Sequence, residues 1–302
     1  MGSGAGTRGA LACGDGTFLD MRRFLAVSCV WLLTGCGHEA TTVAPVPAPS
    51  PLASLDTSGA CLGHCDAATP TTPVVSDTGG HGDVTTYGGV NNAKPSSGGA
   101  CNYGETGITH YAAIQVNLLP GDLRGQWQGG KICGQCVEIK ARTADGWKRT
   151  VARIVDKCPD GNCGIDLGGA PATELMGAQA GRYSGSWRFV SCVGETGVFD
   201  GPAALHVKGG SNAWWSLVQV RNPTAAVLGM RLRPATSLGA WDTLTWATEA
   251  ENFFKVPTPI LSDSTTPRVL EAWTRDGRVH SLSLMTRSLS RPDTNLAFDT
   301  LR

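Results

Sequence analysis

Charge is scarce and evenly split: 25 basic side chains face 25 acidic ones in 302 residues, and charged residues make up 17% of the chain. That balance argues against a protein that neutralises nucleic-acid phosphates over a broad basic face. Apolar runs of about 20 residues are missing beyond the N-terminus, which excludes a multi-span helical membrane protein. Glycine and proline, 40 and 17 residues, stay below the bias that implies disorder by itself, yet predict many turns and short strands. What the chain does have is tryptophan, 9 residues in all, to be divided between core and exposed platforms. Its length suffices for about two domains of roughly 100–200 residues each.

The N-terminus sets the expected compartment. Residues 1–20 show no coherent pattern and read as an upstream segment. Met21-Arg22-Arg23, the apolar run after it and Cys36 read as the basic, apolar and small-residue regions of a signal peptide over 21–36. Leu33-Thr34-Gly35-Cys36 resembles a bacterial lipobox, so Cys36 is the expected lipidation site. The expected location is outside the cytoplasm, lipid-anchored to the envelope or secreted, where disulfides persist. Residues 37–80 read as a linker rich in Pro, Ser and Thr. Pro45, Pro47, Pro49 and Pro51 favour an extended spacer that cannot bury a core. Cys61 and Cys65 interrupt it and are expected to pair locally, a metal pair with His64 being the alternative.

Of 11 cysteines, Cys13 and Cys29 leave with the presequence and Cys36 is lipidated, which leaves 11 − 3 = 8. Six of these are Cys101, Cys133, Cys136, Cys158, Cys163 and Cys192. Their C-x-x-C spacing could read as zinc, but an exported chain favours three disulfides. No metal or other cofactor is expected. CVEIKA, RTVARIVD, WRFVSC and GPAALHV are short strand patterns, and 172–180 is a helix candidate. Many short strands and one helix suggest a small barrel.

GDVTTYGG, GGACNYG, CGQCVEI, VDKCPDGNCGIDL and WRFVSC follow in order over 81–193. Together they resemble the first domain of expansins, a six-stranded double-psi β-barrel related to family-45 glycoside hydrolases. Barwin-like proteins and loosenins share part of the pattern. The resemblance implies Cys101–Cys133, Cys136–Cys192 and Cys158–Cys163 bridges. It also implies a polysaccharide groove lined by Thr85, Tyr87, Asp156 and Asp166, with Asp166 the most important for loosening. Cys158 replaces an aromatic of the bacterial members, as in plant-type ones.

Glycoside hydrolysis normally needs two carboxyl groups across the scissile bond. In the hydrolases, the match of Asp166 is the acid and a second Asp follows on the first strand. Here that strand reads Thr85-Thr86-Tyr87-Gly88-Gly89, with no acid after the tyrosine. Asp83 shares a face with Thr85 by alternation, but reads as a turn residue at the strand edge. The alternative for Asp156 and Asp166 is that they only tie turns within the barrel.

After a short linker at 194–204, residues 205–290 lack cysteine and read as an all-β sandwich, with strands at 216–222 and 269–277 and a tail at 291–302. SNAWWSLVQVRNP resembles the start of the cellulose-binding second domain of expansins, carbohydrate-binding module family 63. The resemblance implies a row of three aromatics: Trp214, Trp215 and, as third, Trp246, with Phe253 as alternative. Adjacent strand residues point to opposite faces, so both Trp are exposed only if Trp214 lies in a bend or bulge. Trp241 and Trp273 are expected in the core.

The sequence therefore reads as all-β: a double-psi barrel followed by an immunoglobulin-like sandwich. The expected activity is expansin-like, non-hydrolytic loosening of wall polysaccharide by a monomer. Its expected partners are cellulose, related β-glucans and xylan-containing polymers, with no nucleic acid and a membrane touched only through the anchor. One rival is a polysaccharide-cleaving enzyme, an endoglucanase or a lytic transglycosylase like rare lipoprotein A acting on peptidoglycan. The other is a cellulose-binding adhesin with an inert barrel.

Overall fold

A computed structural model describes residues 73–302 except 93, 118–124, 237–238 and 249. The upstream segment, signal peptide, lipobox Cys36, Cys61 and Cys65 lie outside the described residues.

The first half is built from β1 (Val74–Ser76), β2 (Gly79–Thr86), β3 (His110–Gln115), β4 (Cys136–Thr143), β5 (Gly146–Cys158), β6 (Ile165–Gly169) and β7 (Tyr183–Val190). The strand order is β1-β2-β6-β3-β5-β4-β7, and β2 also pairs β7. Six strands thus close into a barrel and β1 is added outside the ring. The pairs β2–β6 and β3–β5 are parallel, and the other ladders antiparallel. Val84, Ile114, Ile139, Ile154, Ile165 and Leu167 fill its core, as inward positions of alternating strands.

Two boundaries differ from the sequence reading. The linker was expected to run to 80, but Val74–Ser76 already forms a hairpin with Gly79–His81. The helix α1 spans Ala170–Met176 rather than 172–180. Pro171 suits the first turn, and Gly177, at φ 67°, ends it.

The second half has β8 (Ala204–Val207), β9 (Leu217–Arg221), β10 (Val227–Pro234), β11 (Asp242–Thr243), β12 (Thr245–Trp246), β13 (Phe254–Lys255), β14 (Pro267–Thr274), β15 (Val279–Met285), β16 (Thr294–Ala297) and β17 (Thr300–Leu301). They form two sheets, β11-β10-β14-β15-β17 and β12-β13-β9-β8-β16. Leu205, Val218, Met230, Leu232, Phe254, Leu270 and Ala272 pack between them. The expected tail is not a tail: β16 pairs β8 and β17 pairs β15, so the sandwich runs to Leu301.

Trp241 and Trp273 are also corrected. Leu270 and Ala272 point into the core, so Trp273 points the other way, with Glu271. The Arg231 guanidinium lies 4.2 Å from the Trp241 ring and 6.0 Å from the Trp273 ring, an arginine–indole stack on the outer face of the sheet.

Two sandwich side chains converge on one barrel carbonyl. Gln219 Nε2 and Asn252 Nδ2 donate to the Cys101 carbonyl at 2.8 and 3.0 Å. Cys101 is itself bridged to Cys133. Nearby, Lys157 Nζ meets both oxygens of Glu251 at 3.0 Å, and Trp127 Nε1 donates to Glu251 at 3.3 Å.

Candidate functional site

The barrel aligns the expected acids by register. Asp166 on β6 pairs with Thr85 on one side and Ala113 on the other, and Ala113 in turn pairs with Asp156 on β5. Thr85, Asp166, Ala113 and Asp156 therefore form a row across four strands. Two strand spacings place the Asp156 and Asp166 backbones about 10 Å apart. A β-bulge makes this possible: Ala112 pairs with Ile154 but Ala113 with Asp156, so Val155 is the extra residue. Bulges of this kind re-aim side chains beside functional sites.

Each member of the row has a defined environment. Thr85 Oγ1 donates to Asp166 Oδ1 at 2.7 Å. Burial raises the Asp166 pKa above the ordinary carboxylate value, although the Thr85 hydrogen bond and the Arg182 charge pull it down. Asp156 Oδ1 accepts from the Ala100 and Lys157 backbone N–H groups at 2.9 and 2.8 Å. Gly99, at φ 48°, lets the GGAC turn lie against this acid, because a Cβ there would come within 2.7 Å of the Asp156 side chain. Tyr87 is half-buried and edge-on to Tyr111, with ring centroids 6.0 Å apart. Burial pushes its pKa far up, with Asp156, Tyr111 and Asp166 adding to the effect, so it stays a neutral hydroxyl.

Asp83 does not join the row. It is an interior residue of β2 rather than a turn residue, is 2% exposed, and its Oδ2 receives Arg182 Nη1 at 2.7 Å. The Cys101–Cys133, Cys136–Cys192 and Cys158–Cys163 bridges are those the resemblance implies. Among the described residues no cluster of His, Cys, Asp or Glu is arranged to hold a metal.

On the sandwich, Trp214 lies in a bend before β9 and is 74% exposed; Trp215 is half-buried. Asn212 shapes the bend, its Oδ1 accepting from the Trp214 and Trp215 N–H groups at 2.8 and 3.1 Å. That is the bend the adjacent pair requires. Trp246 is placed differently: half-buried on β12, it packs on Phe254 with centroids 4.2 Å apart and closes the rim of the core. Phe253, the alternative third aromatic, is 2% exposed and so offers no stacking face.

Sequence reasoning missed Trp127, Lys157 and Glu251, which join the barrel beside Asp156 to the sandwich. The adjacency of Lys157 to Asp156 was a signal; the partner, 94 residues away, was not. It also missed Trp147, exposed at the start of β5.

No protein-family model matches the chain. Among curated proteins it is similar to two rice proteins (Oryza sativa subsp. japonica). Expansin-B11 is 33% identical over 102 residues, 33% of this chain and 32% of the relative. Expansin-B16 is 27% identical over 174 residues, 52% of this chain and 61% of the relative. The matched stretches thus span less than two thirds of either relative. Among solved structures, the apo expansin of Clavibacter michiganensis superposes with a TM-score of 0.51 at 21% identity, covering 73% of this chain and 96% of that one. A mutant of that protein in complex with cellohexaose gives a TM-score of 0.51 at 20% identity, with the same coverage. The barrel-and-sandwich fold is the one these structures share.

Proposed function

We propose that this chain, expansin-like in sequence and fold, loosens cellulose-containing wall polymers without cutting them. The observation that carries the reading is the Thr85–Asp166–Ala113–Asp156 row on a barrel joined to a sandwich that presents Trp214. Ala113 leaves the floor between the two acids low. Hydroxyls and carboxyls along the row can then compete for the hydrogen bonds that hold neighbouring polymers together. Trp214 and Trp215 supply flat stacking area for a glucan chain. A stacked indole burying about 60–100 Å² contributes roughly 1.5–2.5 kcal/mol. Cellulose is the proposed ligand, with other β-glucans and xylan-containing polymers in the same class. Export and lipidation at Cys36 are part of the proposal.

Two carboxylates about 10 Å apart also favour a second reading, polysaccharide cleavage. Against it stand the Asp156 oxygen already held by two backbone N–H groups and the pairing of Asp83 with Arg182. The test is extension or weakening of cellulose paper, with reducing ends assayed in parallel. Weakening without sugar release, lost in Asp166→Asn while cellulose retention persists, is the expected result. A time-dependent rise in reducing ends that Asp166→Asn removes would establish the enzyme instead.

A further inference from the structure

The acid row crosses β2, β6, β3 and β5. The barrel ring closes through β5, β4, β7 and β2, and a second row crosses this opposite side. Arg149 on β5 pairs with Lys140 on β4, Lys140 with Ser186 on β7, and Ser186 with His81 on β2. Ala152, Ile139, Ala141, Trp187 and Val84 on the same strands face the core, so alternation turns all four side chains outward. Three strand spacings give the row a length of about 14 Å.

Its charges are fixed from below. Glu138 is buried and accepts from Arg149 Nε at 2.6 Å and from Arg188 Nε and Nη2 at 2.8 and 3.1 Å. Both guanidinium groups are thereby held in place, with side chains 57% and 68% exposed. Each carries five N–H groups, so donors remain for a ligand. Lys140 is exposed and makes no hydrogen bond or ion pair among the described residues. Asp145, in the β4–β5 turn, is taken by Lys148 at 3.0 Å. Arg149, Lys140 and Arg188 against Glu138 leave a local charge of 3 − 1 = 2, positive, in a chain whose formal net charge is zero. Lys140, Ser186 and Arg188 line a shallow pocket of about 120 Å³ over Glu138 and Trp187.

Trp147, two residues before Arg149 and on the same face, adds an exposed indole. Fixed cations repeated at the strand spacing suit a polyanion. A 1,4-linked sugar chain advances by about one strand spacing per residue, so a chain lying across the strands offers one ring to each. Between Trp147 at one end and Val74 beyond His81 at the other, the face is charged or polar, with no continuous apolar strip to enter lipid. We propose that this side of the barrel binds an acidic polysaccharide. Its carboxylates sit on Arg149 and in the pocket between Lys140 and Arg188, and a sugar ring stacks on Trp147. The site lies across the barrel from the acid row and does not depend on the loosening function.

Affinity electrophoresis of the full chain tests it, with polygalacturonate as probe and its fully methyl-esterified form as the neutral control. Saturable retardation by polygalacturonate, about tenfold stronger than by the ester, is expected. Raising salt from about 0.05 to about 0.5 M should remove most of it, because the ion pairs formed are exposed. Neither Lys140 nor Trp147 hydrogen-bonds Glu138, so changing them leaves the buried carboxylate paired. Lys140→Glu should weaken binding about tenfold and Trp147→Ala about threefold, with circular dichroism and cellulose retention unchanged. Equal retardation by the ester, no loss at high salt, or binding unchanged in either variant would each overturn the proposal. So would tighter binding to polyphosphate or to vesicles of phosphatidylcholine and phosphatidylglycerol, which carry the charge without the sugar ring.

Discussion

Thr85 and Asp166 stand opposite one another on the parallel pair β2–β6, and the Thr85 hydroxyl donates a 2.7 Å hydrogen bond to the acid. Burial nonetheless wins, and the Asp166 pKa is raised. The barrel thus holds a carboxyl that keeps its proton to higher pH than an unfolded chain would, at a site where a polymer hydroxyl or ring oxygen could receive it.

That shift fixes the sign of a stability effect. Below the ordinary carboxylate value, 3.8, Asp166 is protonated in both states and makes no difference. As pH rises from there through the folded pKa, the unfolded chain gives up its proton first, and stability falls. Asp166→Asn, which can still accept from Thr85, should therefore gain stability relative to wild type between acidic and neutral pH. Denaturation midpoints of both proteins across that range check it; a difference independent of pH would contradict it.

Glu138 should act in the opposite sense. It is 4% exposed beneath Arg188 and Arg149, whose hydrogen bonds push its pKa from 4.5 down to about 2. The unfolded chain binds the proton near 4.5, so the stability contributed by the pair is full above that value and is lost as pH falls toward about 2. Glu138→Gln should flatten the acid limb of the stability curve. A limb as steep as that of wild type would refute the assignment.

The tryptophans should separate by role. Trp214→Ala should weaken cellulose retention about tenfold while leaving the melting temperature within a few degrees, since one exposed stacking ring contributes roughly 1.5–2.5 kcal/mol. Trp246→Ala should instead cost about 1–3 kcal/mol of stability, because it removes packing against Phe254. Depletion assays and thermal scans on both variants read the two effects. The reverse assignment would place the stacking face on β12.

Much of this was legible locally. Alternating strands and the bend demanded by Trp214-Trp215 follow from neighbours in sequence, whereas the cysteine pairing, across separations of 32 and 56 residues, came from the family resemblance. Trp273 was legible too, since Leu270 and Ala272 alternate with Glu271 and Trp273, but tryptophan's usual place in cores misled the reading. The rest depends on distant partners. Strand β17 has two residues, and only its ladder with His280 and Ser281 makes it a strand. The Val155 bulge is a mismatch between β3 and β5, invisible in either strand alone.

The Cys136–Cys192 bridge joins β4 to the chain just beyond β7 with a sequence separation of 56. In the chain-entropy account, closing such a loop contributes about 4 kcal/mol. Replacing both cysteines by Ala should lower the barrel's denaturation midpoint accordingly. A loss below about 1 kcal/mol would mean that the β4–β7 ladder alone fixes this closure.

The Cys101 carbonyl, held by Gln219 and Asn252, has a mechanical consequence. Two buried side-chain donors of the sandwich clasp the barrel there, between the jaw that carries Asp166 and the jaw that carries Trp214. A glucan long enough to reach both jaws gains an effective-concentration advantage that an oligomer held by one jaw never receives. Under the proposed function, the junction would favour long sugar chains over short oligomers.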